Sequence, residues 1–434
     1  MFRGAGLIAG TALALGLIST SASAEALLLI EAESGKVLQA ENATYPWYPA
    51  SVTKLMTAYV TLKAVKQGRI TLDTPFVVSP NALAQSPTKM GFKVGTVVTV
   101  DNALKMLMVK SANDMAVLLA EGVSGSIDKF SDEMNMAAAR LGMSQTHYVN
   151  PNGLPADDQV TSARDLGILA RAIVRELPEY DYYWHLPGIK FGKRIVRNYN
   201  KLIDLYPGAD GMKTGFICAS GFNLVASATR NNRRLIAVVL GAPSSAVRAY
   251  KAAKMLEQGF NSNRGISWLM PSLGTVDQLK PIEATPPNLR EDMCGPKRKR
   301  PAAEDEDTEV SSNNSTGENG DTGSPLSYML SNLNGSVKAS QALAGGFATL
   351  PPVEVFVGAF RPATAAAADA QESAIAGGGG KAKGKKKTKT AAASAKGKDA
   401  ADKSAKPAAV PDAKKPDAKK PAQTAARPAA QKQQ

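Results

Sequence analysis

The chain has 434 residues, and 52 Lys and Arg against 38 Asp and Glu leave a formal charge of +14. Sixteen basic and four acidic residues fall between Lys381 and Gln434, so nearly all of that charge belongs to the tail, and a basic nucleic-acid-binding body is excluded. Two cysteines and two histidines exclude a disulfide-dense scaffold and a Cys- or His-rich metal site, and neither metal nor cofactor is expected.

Arg3 gives a short positive start, residues 7–18 are apolar with Ala and Gly interleaved, and Ala22-Ser23-Ala24 offers small residues for cleavage before Glu25. Those three parts make 1–24 a secretory signal peptide. Its apolar run of about twelve residues is shorter than the roughly twenty that a membrane span needs. The mature chain is therefore expected to be exported, and soluble or held only peripherally at a membrane. Residues 27–30 and 36–39 flank Glu33-Ser34-Gly35 and read as a hairpin. Residues 51–66 carry Val52, Leu55, Met56, Tyr59, Val60 and Leu62 at helical spacing, ended by Gly68. Residues 100–121 read as two helices interrupted at Ser111-Ala112-Asn113, and 126–141 and 161–177 as two more. Residues 222–229 and 234–240 are apolar strands joined through Asn231-Asn232, and 244–259 form a closing helix. Helices between an early and a late hairpin predict an α+β fold, with an antiparallel sheet built from both chain ends and covered by helices.

Residues 25–262 thus form the globular part. Residues 263–360 read as a low-complexity, poorly ordered linker, with one isolated strand at 352–360. From 361 to 434 Ala, Lys and Pro dominate without a single aromatic residue, a composition that cannot bury enough apolar surface to offset chain entropy.

Three short patterns carry the chemistry. Ser51-Val52-Thr53-Lys54 opens a helix, Ser111-Ala112-Asn113 sits in a helix–helix junction, and Lys213-Thr214-Gly215 precedes the late strands. A serine hydroxyl needs a base before it becomes a nucleophile. Position i+3 on a helix lies one turn away on the same face, so Lys54 reaches the Ser51 hydroxyl. Burial and a second cation, Lys213, would favour the neutral amine that a base must be. Backbone N–H groups at the helix start suit a developing oxyanion. Ser111 could shuttle a proton to a leaving amine, Asn113 could hold a substrate amide, and Gly215 lets a substrate backbone lie along a strand edge. Ser-x-x-Lys also occurs at Ser86 and Ser126, but Ser86 sits in a Pro- and Gly-containing loop and Ser126 reads as a helix cap.

Pro49-Ala50-Ser51-Val52-Thr53-Lys54-Leu55-Met56-Thr57, Lys110-Ser111-Ala112-Asn113-Asp114 and Asp210-Gly211-Met212-Lys213-Thr214-Gly215 together resemble the D-alanyl-D-alanine carboxypeptidases, which are low-molecular-mass penicillin-binding proteins. The resemblance runs from about Ala26 to Phe260. It implies a β-lactamase/transpeptidase-like fold and an acyl-enzyme on Ser51, with Lys54 as general base and Ser111 and Lys213 assisting proton transfer and docking. Backbone N–H groups of Ser51 and Phe216 would form the oxyanion hole, and Arg248 would receive the terminal carboxylate, whose two oxygens suit a guanidinium fork. The substrate implied is a peptidoglycan stem peptide ending in D-Ala-D-Ala, with β-lactams as covalent inhibitors. Many relatives carry histidine where this chain has Phe216; a backbone donor survives that change and a side-chain contact does not.

Export brings Cys218 and Cys294 into an oxidising compartment, and a disulfide between them is expected. The localisation expected is the periplasm or cell envelope, with the basic tail binding anionic membrane or wall polymer loosely; nucleic acid is not an expected partner. The same fold would also serve a D,D-endopeptidase or transpeptidase. A reading of another class, a non-catalytic cell-wall-binding protein, leaves the intact motif set unexplained. A β-lactamase is disfavoured because no Glu-x-x-Leu-Asn motif occurs around 147–154.

Overall fold

The computed structural model describes residues 25–262, 272–296 and 350–363. The chain divides into Met1–Gly380 and Lys381–Gln434. The second unit, the signal-peptide reading at 1–24 and the tail from 364 lie outside the described residues.

In chain order the first half comprises β1 (Ala26–Glu31), β2 (Val37–Glu41), a 3-10 turn (Ala50–Thr53), α1 (Lys54–Lys66), β3 (Pro75–Val77), α2 (Pro80–Ala84), β4 (Val97–Thr99), α3 (Val100–Val109), α4 (Asn113–Ser124), α5 (Ile127–Leu141) and α6 (Ala163–Glu176). The second half comprises β5 (Gly188–Phe191), β6 (Arg194–Arg197), α7 (Leu202–Leu205), β7 (Ala209–Ile217), β8 (Gly221–Arg230), β9 (Arg233–Ala242), α8 (Ser245–Asn261), α9 (Arg290–Cys294) and β10 (Val353–Val355).

The main sheet has the order β2-β1-β9-β8-β7, antiparallel throughout. Strand β1, paired to β9 from Ala26↔Leu240 to Glu31↔Leu235, joins the start of the 25–262 segment to its late hairpin. That strand reads as an unbroken apolar run because both faces are covered. Leu28 and Ile30 pack under α6 at Gly167, and Leu29 between them packs under α8 at Gly259. Successive side chains of a strand point to opposite faces, so two helices on two faces demand apolar residues at every position. Thr99, Ser126, Ser162 and Ser244 accept from backbone N–H groups three residues on and start α3, α5, α6 and α8. Helix α1 is buried on nearly every side, which explains why its apolar residues do not form a single stripe.

Three expectations need correcting. The strand read as isolated at 352–360 is β10, which pairs in parallel with β5 (Val353↔Ile189) and completes a three-stranded sheet, β10-β5-β6. Its inward residues alternate, Val355 and Val357 being buried, and Phe356 N–H donates to Asn102 Oδ1 of α3 at 3.0 Å. The reading of 263–360 as poorly ordered fails for 272–296 as well. That stretch forms a strap: Val37 N–H donates to Gly274 O and Val276 N–H to Gly35 O, while Val276, Leu289 and Met293 are buried. The strap escapes a sequence reading because its apolar residues are few, and the pairing of β10 escapes it because the partner is remote in the chain. Lys213-Thr214-Gly215, read as preceding the late strands, lies inside β7, at the end of the sheet.

Candidate active site

The 3-10 turn places Ser51 just ahead of α1, with Ala50 held at φ +49°. Lys54 occupies the first position of α1 and is completely buried. Its Nζ lies 2.8 Å from Ser51 Oγ, 2.7 Å from Asn113 Oδ1 and 2.6 Å from the Asn152 carbonyl oxygen. As an ammonium the group would donate all three bonds. As a neutral amine it has two N–H donors for the two carbonyl oxygens and a lone pair for the Ser51 hydroxyl proton. Those three partners are uncharged, so none of them offsets the cost of burying an ammonium.

Helices α3 and α4 meet at Ser111, whose backbone takes the left-handed φ of +59°. The hydroxyl of Ser111 is buried and has no hydrogen-bond partner. The loop at 85–91 wraps this junction. Asn113 N–H donates to Thr88 O at 2.8 Å, Asn113 Nδ2 to Ser86 O at 2.9 Å, and Thr88 Oγ1 to Lys110 O and Ser111 O. Asp114 accepts from Met90 and Gly91 N–H. Burial pushes its carboxyl above the usual range, although the N–H groups of Gly91, Met90 and Met115 pull the other way.

Strand β7 closes the third side. A methyl group at Gly215 would stand 2.8 Å from the Ser51 nitrogen and 2.9 Å from the Val52 nitrogen, so only glycine lets the strand approach the turn this closely. Lys213 is buried and its Nζ donates to Thr214 O at 3.0 Å. The Thr214 hydroxyl, like that of Ser111, is buried without a partner. Two orphaned hydroxyls on motif residues suit a site awaiting a polar ligand, since buried polar groups are otherwise satisfied. Phe216 faces Phe222 across the pair, with ring centroids 4.4 Å apart. Arg248, in the first turn of α8, is buried over the Phe222 ring and donates to Asn223 O at 3.3 Å and Gly215 O at 3.5 Å.

Several supports carry no motif. Asn223 Nδ2 donates to the Tyr48 and Pro49 carbonyls, fastening the serine turn to β8. Gln159 Nε2 donates to Thr53 Oγ1, and its Oε1 accepts from Val149 and Asn150 N–H. Asn150-Pro151-Asn152-Gly153, not singled out from the sequence, forms a turn that delivers the Asn152 carbonyl to Lys54. The two other Ser-x-x-Lys patterns make no such pair: Lys89 Nζ donates to Leu83 O, and Ser126 caps α5. His147 Nδ1 lies 3.0 Å from Asp158 O and His185 Nδ1 lies 3.7 Å from Asp181 Oδ2. Among the described residues no group of three or more His, Cys, Asp and Glu is placed to hold a metal ion.

Cys218 and Cys294 are joined in a disulfide, and Leu289 N–H donates to Ala219 O beside it. The bond fixes the end of the strap to the β7–β8 turn, two residues beyond Phe216. Replacing both cysteines by serine is expected to destabilise the fold by up to about 4.5 kcal/mol, the chain-entropy value for a loop of this length. Urea unfolding of the two proteins measures it; equal midpoints would show that the cross-link constrains nothing.

Residues 16–244 match the sequence pattern of the D-alanyl-D-alanine carboxypeptidase family, and the chain belongs to that family. It is 37% identical over 250 residues to D-alanyl-D-alanine carboxypeptidase DacA of Haemophilus influenzae, covering 56% of this chain and 64% of the relative. It is 36% identical over 266 residues to DacC of Escherichia coli, covering 59% and 66%. The chain thus spans a little under two thirds of the length of these relatives. Among solved structures, the penicillin-binding protein 5 of Haemophilus influenzae superposes with a TM-score of 0.53 at 37% identity, over 55% of this chain and 71% of that one. The fold is that of the penicillin-binding DD-peptidases, an antiparallel sheet flanked by helices.

Proposed function

We propose that this protein is an exported serine-type D-alanyl-D-alanine carboxypeptidase that removes the terminal D-alanine from peptidoglycan stem peptides. The observation that carries the reading is the buried Lys54 amine 2.8 Å from the Ser51 hydroxyl, with the Asn113 and Asn152 carbonyl oxygens also within hydrogen-bond distance. In this reading Ser51 Oγ bonds to the carbonyl carbon of the penultimate D-alanine while its proton passes to Lys54 Nζ. The negative oxygen rests on the backbone N–H groups of Ser51 and Phe216. Ser111 relays a proton to the departing amine, the C–N bond breaks, and D-alanine leaves. Water then attacks the Ser51 ester, with Lys54 again accepting a proton. Asn113 and Gly215 position the peptide, while Lys213, Thr214 and Arg248 dock its terminal carboxylate. The unpartnered Thr214 hydroxyl offers a donor, and the two cations offer charge.

A β-lactam presents a strained amide to the same serine and acylates it. The family, the residues at 1–24 and the basic tail support a place in the periplasm or cell envelope. There the tail holds loosely to anionic membrane or wall polymer. Among the described residues no helix is long and apolar enough to cross a membrane.

D-Alanine release from a pentapeptide, compared between the parent and Ser51→Ala, tests the reading. Release is expected to fall at least about 10³-fold, and labelling by fluorescent penicillin to vanish. Equal release by the two proteins would exclude Ser51 as nucleophile.

A further inference from the structure

The loop holding the unused Ser86-x-x-Lys89 pattern has a second connection. Gln85 follows α2, and its half-buried amide is held at both ends. Nε2 lies 3.2 Å from Asn81 O, and Oε1 accepts from Asn152 Nδ2 at 2.8 Å. Asn152 is buried, and its backbone carbonyl is one acceptor of the Lys54 amine. The next residue, Ser86, takes Asn113 Nδ2 at its carbonyl, and Asn113 Oδ1 is the other acceptor. A closed ring results. It runs from Lys54 to Asn113, through the Ser86–Gln85 peptide to the Gln85 side chain, on to Asn152, and back to Lys54.

From this ring we propose that Gln85 is a positioning residue for the reaction at Ser51. The inference rests on the Ser51–Lys54 reading above. A neutral amine has two N–H bonds and one lone pair, fixed at tetrahedral angles. Once Asn113 Oδ1 and Asn152 O hold the two N–H bonds, the lone pair is aimed at Ser51 Oγ. Asn113 is held from several sides, by Ser86 and Thr88 as well as by Lys54. The Asn152 side chain donates to Gln85 Oε1 and accepts from Leu154 N–H within its own turn. Gln85 therefore ties the turn that carries one acceptor to the loop that carries the other. The ring acts on proton transfer and not on substrate docking, so losing it slows acylation without weakening the preceding non-covalent complex.

Stopped-flow acylation by a chromogenic penicillin separates those two constants. Gln85→Met keeps the length and removes the acceptor. It is expected to slow acylation about tenfold at an unchanged dissociation constant, as misplacement of well under an ångström does. Gln85→Glu restores an acceptor oxygen for Asn152 and is expected to recover most of the lost rate. Asn152→Ala should slow acylation similarly, and the Gln85→Met/Asn152→Ala double variant should be no slower than the worse single one, because one bond is broken in each. Three outcomes would overturn the proposal. They are a parental acylation rate in Gln85→Met, equal slowing in Gln85→Met and Gln85→Glu, or a loss confined to the dissociation constant. Failure of Ser51→Ala to abolish acylation would instead sink the nucleophile assignment itself, so the two failures are distinguishable.

Discussion

Replacing Lys54 by methionine is expected to slow acylation of Ser51 by penicillin about 10³- to 10⁴-fold, the upper range for losing a positioned general base. Methionine nearly matches the aliphatic length and leaves no large cavity, so the loss reads on the amine and not on packing. The substitution also strands Asn113 Oδ1 and the Asn152 carbonyl, which now receive Lys54 at 2.7 and 2.6 Å. Each buried acceptor left without a donor costs about 1–3 kcal/mol, so a lower melting temperature should accompany the lost rate. Lys54→Arg separates charge from basicity. A guanidinium supplies donors and positive charge but does not give up its proton near neutral pH. If Lys54 acts by accepting the serine proton, the arginine variant is as slow as the methionine variant. An arginine variant acylating within about tenfold of the parent would show that positive charge suffices, against the general-base role.

Gly153→Ala should be the most damaging single-methyl change near the site. Gly153 has a φ of +78°, and a Cβ there would stand 1.8 Å from the Ala50 carbonyl oxygen, 2.4 Å from its carbon and 2.9 Å from Thr53 Oγ1. Ala50 immediately precedes Ser51, and Gly153 immediately follows the residue whose carbonyl holds Lys54. Relief of the clash must move one of those two segments, and either movement parts Ser51 from Lys54. A destabilisation of about 3 kcal/mol is expected from overpacking and left-handed strain together, with an acylation loss on the order of 10²-fold. Gly68→Ala is the control. It has a nearly equal φ of +72° but nothing within 4 Å of the added methyl. It should cost only about 1 kcal/mol of backbone strain and leave acylation unchanged. Identical acylation in Gly153→Ala and Gly68→Ala would show that the close approach at Ala50 does not hold the serine in place.

The parts of this molecule that were legible in the sequence are those whose residue types are dictated locally. The 27–30 run, the cap at Ser126, the closing helix from 244 and the i,i+3 relation of Ser51 to Lys54 each depend on side chains within a few positions. Gly215 was legible as a close-approach position, although what approaches it is the serine turn as well as any ligand. What escaped depends on backbone atoms or remote partners. The acceptor at Asn152 is a carbonyl, which every residue possesses, so no residue type announces it. Lys213-Thr214-Gly215 has neither β-branched density nor alternation, and its strand character comes from pairing with β8. Strand β10 is three residues long and pairs with β5, more than 150 positions earlier in the chain. Ser86 was set aside as a loop residue, correctly for its hydroxyl and without sight of its carbonyl.

The family match ends at residue 244, the residue that caps α8. Excising the protein at that boundary would remove the helix that lies over Leu29 and Leu235, and with it Arg248. Cutting after α8 instead would leave Cys218 as a lone thiol and uncover the surfaces now beneath Val276 and Met293. The smallest autonomous piece of this gene product therefore reaches at least to Cys294, well past the end of the family match.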